Sequence, residues 1–515
     1  MQRRTFLSSA IAAGGGAAMV PTAFMVLPAG AQPVDAQPGT EGPYGSIADR
    51  VPDANGLVLP EGFTSRIIGV AGEKVEGTEY SWPIFPDGSA SFDDGDGGWY
   101  FVCNSEVFAP EGNGGASSVH FGKDGEVLSA QRVLGNTTAN CAGGPTPWGT
   151  WLSCEERFDE KGQVWECDPT GKTEAVVHPA LGSWAHEAVA VDPEGKALYL
   201  TQDNPEGLFY RFTPDSYPDL SSGKLEAMIV AADESVTWGE VTDPSGETAP
   251  TRTQVPGATI FPGNEGCWYH DGFVVWTSKG TNKVHSLDIA TQKHATVWAG
   301  TPNDEILAGK PAREPLSGVD NITVENGSGD LFVAEDGGNM EVVLISAEGE
   351  VVPFARIDGA AHEGSEVTGP SFNPAGDRLY FSSQRGPTNK SLMEIAGLGG
   401  DGKNGGVTYE VTGPFRGAKI LADKTKEETP NPSDTLVAAG SGKDTKSKDT
   451  KSADGYSSNT VPLIAGGAVV AAAVVAGAMA LRKRGSADSA DGGPGNADTT
   501  ANGTAPKDDS GEPQT

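Results

Sequence analysis

Histidine is scarce in this chain, at 7 of 515 residues, and the sequence holds neither a Cys-x-x-Cys pair nor a His-Glu-x-x-His segment. An imidazole-rich metal centre and the common zinc patterns are thereby excluded, so any metal site must rest on carboxylates with at most one or two thiols. Basic residues are few as well. Lys and Arg number 36 against 70 Asp and Glu, for a formal charge of −34. Nucleic-acid binding needs clustered cations for phosphate contacts, and this balance argues against it. The same balance suits an exported, soluble surface that binds cations. The five cysteines (Cys103, Cys141, Cys154, Cys167 and Cys267) are an odd number, leaving at least one outside any intramolecular disulfide. Helical periodicity is nearly absent. What is abundant is glycine, at 71, and proline, at 36, with 7% aromatics, the composition of a turn-rich all-β protein.

One pattern recurs along the chain: a Pro/Asp/Gly turn, a short apolar strand, and a polar end. Val191–Leu200 runs into Thr201-Gln202-Asp203-Asn204, Gly327–Ala334 into Glu335-Asp336-Gly337, and Phe372–Phe381 into Ser382-Ser383-Gln384-Arg385. Gly98–Cys103 with Asn104-Ser105-Glu106, and Trp268–Trp276 with Thr277-Ser278-Lys279, are looser copies. Short strands after turns at wide, irregular intervals predict a β-propeller of about six blades. The inner strands of a propeller line one channel, so equivalent strand ends converge there. Any one acid-tipped end reads as a solvated hairpin; a set of them converging requires cations.

The segment Asn140–Glu156 carries the most chemistry. It sets Cys141 in a Gly/Pro turn, passes through Trp148-Gly149-Thr150-Trp151, and ends on Cys154-Glu155-Glu156. Adjacent carboxylates at a strand end repel unless a cation or bulk water intervenes. A nearby thiol adds a softer ligand suited to a transition metal beside an oxygen-bound cation. A solvated hairpin end next to a buried core cysteine is the alternative.

The chain ends read as an address. Gln2-Arg3-Arg4-Thr5-Phe6-Leu7 precedes a weakly apolar stretch and the cleavage-like Ala29-Gly30-Ala31, so residues 1–31 look like a twin-arginine export signal, with a Sec signal as the alternative. Residues 32–417 form the expected propeller domain, and 418–460 are polar and read as a disordered tether. Val461–Leu481 is 21 uncharged residues followed by Arg482-Lys483-Arg484, a transmembrane helix with residues 482–515 as a cytoplasmic tail. A buried core helix is the other reading of that stretch. The expected topology places the propeller on the outer face of the cell membrane, held through the C-terminal helix.

Laid out in this way, the sequence resembles the PhoX-type alkaline phosphatase family of exported, calcium- and iron-dependent enzymes. The resemblance runs from Leu59-Pro60-Glu61-Gly62-Phe63 through Asn104-Ser105-Glu106 and Asn140–Glu156. It continues through His186-Glu187, Tyr210–Pro214, Glu265-Gly266-Cys267-Trp268, Asp320-Asn321, Glu335-Asp336 and Glu366–Pro370 to Val411–Phe415. It implies a roughly six-bladed propeller that holds iron and calcium in its channel and hydrolyses phosphate monoesters. It assigns Cys141 to iron, and Glu155, Glu156, Glu187 and Glu265 to the metals, with Glu335, Asp336 and Glu366 as further ligand candidates. Glu155, Glu156 and Glu265 would also act in catalysis. Two departures stand out: Gly263 and Ser183 occupy positions where the family tends to place arginine, so part of the phosphate clamp would be missing, and Arg385 is the candidate replacement. The expected partner is a small-molecule phosphate ester, and the expected state a monomer. Two other functions fit the same residues. One is a calcium-dependent propeller lactonase or esterase, which needs no phosphate clamp; the other is a non-catalytic calcium-binding propeller displayed on the cell surface.

Overall fold

In a computed structural model, residues 41–108, 111–362, 364–387 and 405–418 are described. All fall in the first of two compact units, Met1–Lys451. The segments expected to be the signal, the anchor and the cytoplasmic tail lie outside the described residues, as does the expected tether apart from Ala418, which packs against the propeller core. No helix among the described residues is long and apolar enough to cross a membrane.

The described residues hold 26 strands in six antiparallel sheets, a six-bladed β-propeller. Blades one to six begin with the innermost strands Pro86–Asp93, Asn140–Pro145, His186–Asp192, Asn264–His270, Val319–Val324 and Val367–Phe372. Each of these packs against the next, and the sixth returns to the first, so the ring is closed. Closure uses the N-terminus: Thr64–Val70 supplies the outer strand of blade six by pairing with Val407–Thr412, and Leu57–Val58 caps blade five along Val351–Ile357. Arg66 reinforces the first seam with two hydrogen bonds to Glu410, both 2.8 Å. A strand from early in the chain thus completes a blade whose other strands come late in it.

Every neighbouring pair of blades shares an apolar cluster, which is why the strands alternate as they do. Phe101 and Phe121 of blade one meet Tyr380 of blade six, Tyr199 and Phe209 of blade three meet Trp276 of blade four, and Phe332 of blade five meets Leu379 of blade six. Faces covered on both sides explain near-continuous runs such as Leu331-Phe332-Val333-Ala334, fully buried throughout.

Candidate active site

Two positions in each blade build the site. The first lies at a break in pairing near the start of every innermost strand: between Pro86 and Ser89, Asn140 and Gly143, His186 and Val189, Asn264 and Cys267, Val319 and Ile322, and Thr368 and Ser371. A bulge of this kind adds an unpaired residue and re-aims a side chain. In blades one to five the residue there is Asp87, Cys141, Glu187, Glu265 and Asp320; in blade six Glu366 stands just before the strand. Glycine follows two of these acids because the neighbouring inner strand comes too close for a side chain. A Cβ on Gly88 would lie 2.4 Å from Ala142 Cα, and one on Gly266 2.6 Å from Ile322 N.

The second position is the residue immediately after each blade's second strand. In order these are Glu106, Glu156, Asp203, Lys279, Asp336 and Gln384, with Arg385 next to the last. The two sets interleave into a continuous chain of ligand-bearing groups. Asp87, Glu106 and Cys141 have ligand atoms within 4.8 Å of one another; so do Cys141, Glu156 and Glu187; then Glu187, Glu265 and Asp320; then Asp320, Asp336 and Glu366. Each group shares a member with the next.

Neutral amides hold this arrangement in place. Gln384 donates to Asp87 at 2.5 Å and Glu106 at 2.7 Å. Asn321 donates to Asp320 at 2.9 Å and Glu187 at 3.3 Å, and accepts from the Gly369 amide at 2.7 Å. Asn104 fixes the backbone of the cysteine: its amide donates to the carbonyls of Cys141 and Ala142, while its oxygen accepts from Trp151 Nε1 and Ser153 Oγ. Beside Glu187, His186 stacks on Trp184 with ring centroids 4.0 Å apart.

Burial of so many acids leaves a deficit of positive charge. Burial first, and then Glu106, pushes the Asp87 carboxyl well above its usual range; burial, Glu106 and Asp203 do the same to Glu156. The Cys141 thiol is driven up by burial and by Asp87 and Glu187. Burial opposes the charge on Lys279, yet Asp320, Glu265 and Asp336 outweigh it and hold the ammonium firmly protonated. Three buried carboxylate oxygens of this ring, Asp87 Oδ1, Glu187 Oε2 and Glu265 Oε1, have no hydrogen-bond partner among the described residues. Lys279 Nζ approaches the last at 3.3 Å as an ion pair without hydrogen-bond alignment. Buried charge without a partner is costly, so these oxygens fit a cation.

Of the residues singled out in the sequence, Cys141, Glu156, Glu187, Glu265, Asp336 and Glu366 come together here. Arg385 faces the same ring, with Nη1 2.5 Å from Glu366 Oε1 and Nη2 3.6 Å from Asp336 Oδ1. Glu155 and Glu335 do not join. Each is the last residue of a strand whose successor enters the ring, and side chains alternate faces along a strand. Glu155 instead accepts from the amides of Thr138 and Gln163, at 2.9 and 3.2 Å. Glu335 accepts from those of Ser317 and Glu341, at 2.7 and 3.2 Å, and burial pushes its carboxyl up to about 8. The repulsion expected within the Glu155–Glu156 pair is thus relieved by divergence. Cys154 lies in the apolar cluster between blades two and three.

Sequence reasoning missed Asp87, Glu106, Asp320 and Lys279 as site residues. Lys279 bears directly on the two absent arginines. Its backbone amide donates to Gly263 O at 2.6 Å, and Gly263 has φ +61°, a left-handed conformation that disfavours an arginine there. Positive charge reaches the ring from Lys279 instead, at 2.7 Å from Asp320 and 3.1 Å from Asp336. Ser183 spends its hydroxyl on the Glu160 carbonyl at 2.9 Å.

The described residues thus form a closed six-bladed propeller with a buried chain of carboxylates and one thiol at its channel. The sequence profile of the family described as alkaline phosphatase PhoX matches residues 113–386, and the chain belongs to that family. It is accordingly a phosphoester hydrolase. Among solved structures, the chain is similar in fold to Pseudomonas fluorescens PhoX in complex with vanadate, a transition state analogue: 18% identity, TM-score 0.56, covering 71% of this chain and 97% of that one. A gluconolactonase from Xanthomonas campestris aligns over 76% of this chain and 99% of its own at 14% identity, but its TM-score of 0.39 carries no argument. A search among curated proteins gave no match.

Proposed function

We propose that the chain is a metal-dependent phosphomonoesterase acting on small-molecule phosphate esters at the ring of Asp87, Glu106, Cys141, Glu156, Glu187, Glu265, Asp320, Asp336 and Glu366. The observation that carries this reading is the pair of buried oxygens, Asp87 Oδ1 and Glu187 Oε2, that have no hydrogen-bond partner among the described residues. The carboxylates suit calcium, and the Cys141 sulfur beside Glu156 and Glu187 suits iron. Bound there, such cations supply the positive charge that phosphoryl oxygens demand and lower the pKa of water. The chain's own part is to hold and orient. Arg385 offers its guanidinium to a phosphoryl oxygen beside Glu366, Gln384 fixes Asp87 and Glu106, and Asn104 fixes the Cys141 backbone. With Gly263 and Ser183 in place of arginines, charge-assisted contacts to the phosphoryl group are fewer, which costs on the order of a hundredfold in rate.

The same proposal places the enzyme outside the cell, exported through the twin-arginine signal at residues 1–31 and held by the helix at Val461–Leu481. The sequence of the two ends supports this. A reporter fused after Thr515 should then remain cytoplasmic while external protease releases the propeller.

The test of function is a substrate panel of phosphomonoesters, phosphodiesters and lactones, each with and without chelator. Chelator-sensitive phosphate release from monoesters is expected. Lactone opening without phosphate release would replace this reading with a lactonase, and no turnover at all with a calcium-binding scaffold.

A further inference from the structure

The ring is not electrostatically uniform. Counted by blade, the position after the second strand carries a carboxylate in blades one, two, three and five (Glu106, Glu156, Asp203 and Asp336), an amide in blade six (Gln384), and an amine in blade four (Lys279). That amine points inward. Lys279 Nζ lies 2.7 Å from Asp320 Oδ2, 3.1 Å from Asp336 Oδ2 and 3.3 Å from Glu265 Oε1. These three acids come from two adjoining ligand groups, Glu187–Glu265–Asp320 and Asp320–Asp336–Glu366. Arg385 closes the far end on Glu366 and Asp336. The other arc, Asp87, Glu106, Cys141, Glu156 and Glu187, is four carboxylates and a thiol with no ion pair to Lys or Arg among the described residues, and two of its buried oxygens, Asp87 Oδ1 and Glu187 Oε2, have no hydrogen-bond partner among them.

We propose that Lys279 is a built-in cation: its ammonium stands in for one divalent ion among Glu265, Asp320 and Asp336, so that divalent metal is confined to the arc from Asp87 to Glu187. A three-donor ammonium on a flexible stem is a compact point charge that can satisfy three carboxylates at once, as a small cation does. The inference rests on the metal-site reading given under Proposed function and deepens it, because it fixes which half of the ring takes metal.

The experiment is a metal count by elemental analysis on purified, folded full chain equilibrated with excess calcium and iron, comparing the wild type with Lys279→Met. The variant is expected to hold about one more divalent ion per chain than the wild type, and calcium titration calorimetry should show an added binding step. Lys279→Arg, which keeps the charge, should restore the wild-type count. An unchanged count in Lys279→Met overturns the proposal, and weakened vanadate binding at that unchanged count would make Lys279 a phosphate contact instead. Should Lys279→Met fail to fold, the wild-type background still decides: Glu106→Gln should lower the count, whereas Asp336→Asn should leave it unchanged, and loss of a metal in Asp336→Asn overturns the proposal. A wild type that binds no metal at all defeats the functional reading, while the difference between wild type and Lys279→Met still judges the role of Lys279.

Discussion

Replacing Asn104 by alanine removes a buried side chain that holds four hydrogen-bond partners. Its amide nitrogen serves the carbonyls of Cys141 at 3.2 Å and Ala142 at 2.8 Å, and its oxygen receives Trp151 Nε1 and Ser153 Oγ, each at 2.9 Å. Asn104 is fully buried, as are Trp151 and Ser153, so water does not readily take its place. An unsatisfied buried polar group costs about 1–3 kcal/mol. Ser153 keeps Asn140 Nδ2 at 3.0 Å, which leaves three groups stranded. With partial relaxation the expected loss is about 3–5 kcal/mol, a drop of several degrees in Tm for a domain of this size. Two of the stranded groups are the Cys141 and Ala142 carbonyls, so the thiol should lose its fixed position. Outer-shell partners of metal ligands typically contribute about 10- to 100-fold in metal affinity. Asn104→Asp separates the two effects, since it keeps both acceptor contacts and loses both donor contacts. Differential scanning calorimetry and metal titration on both variants test this. A Tm within a degree of wild type for Asn104→Ala, with unchanged metal retention, would refute the positioning role.

Cys141→Ser should lower iron content while leaving most calcium bound, whereas Cys154→Ser, in the apolar cluster between blades two and three, should affect stability without changing metal composition; elemental analysis showing the reverse pattern would assign the thiol ligand to Cys154. Metal loading should release protons, because burial and neighbouring acids hold Asp87, Glu156, Glu187 and Cys141 above their usual ranges and a cation binds their deprotonated forms. Calorimetric heats should therefore vary with the ionisation enthalpy of the buffer, and buffer-independent heats would contradict this. In blade four, His285 Nδ1 meets His294 Nε2 at 3.0 Å, and His294 Nδ1 meets Glu234 at 2.6 Å. Burial depresses both imidazoles, so the unfolded chain binds more protons below about pH 6.5, and stability is full above that value and falls as pH drops beneath it. His285→Phe should flatten that slope in denaturant midpoints, and an unaltered slope would show that the pair does not contribute.

The propeller was legible because each blade repeats a turn, an apolar strand and a polar tip, and burial on both faces forces that pattern on every blade. Segments such as Gly327–Asp336 announce both the strand and the side of the ring on which it ends. Within the site, the cysteine was legible from the acid pair that follows it, although the segment read as a Gly/Pro turn is the inner strand Asn140–Pro145 with a bulge at Cys141; Glu187, Glu265 and Glu366 were legible from the resemblance. Register was not. In Glu155-Glu156 and Glu335-Asp336 only the second acid reaches the ring, and strand alternation says that one of each pair must turn away without saying which. Asp87 was hidden in Pro86-Asp87-Gly88, a sequence that reads as a turn; its glycine is required by the approach of Ala142 and its acid is aimed by a bulge that has no sequence signature of its own. Lys279 read as one more polar strand tip, because its partners Asp320 and Asp336 lie on another blade.

The most direct test of the central claim is a strip-and-restore assay. Purified chain is exhaustively chelated, divided, and returned to calcium, to iron, or to both, with inorganic phosphate release from a monoester measured alongside elemental analysis. The account predicts that chelation abolishes phosphate release, that both metals together restore it in proportion to the bound count, and that Cys141→Ser is not restored. Phosphate release that persists in fully metal-free protein would contradict it.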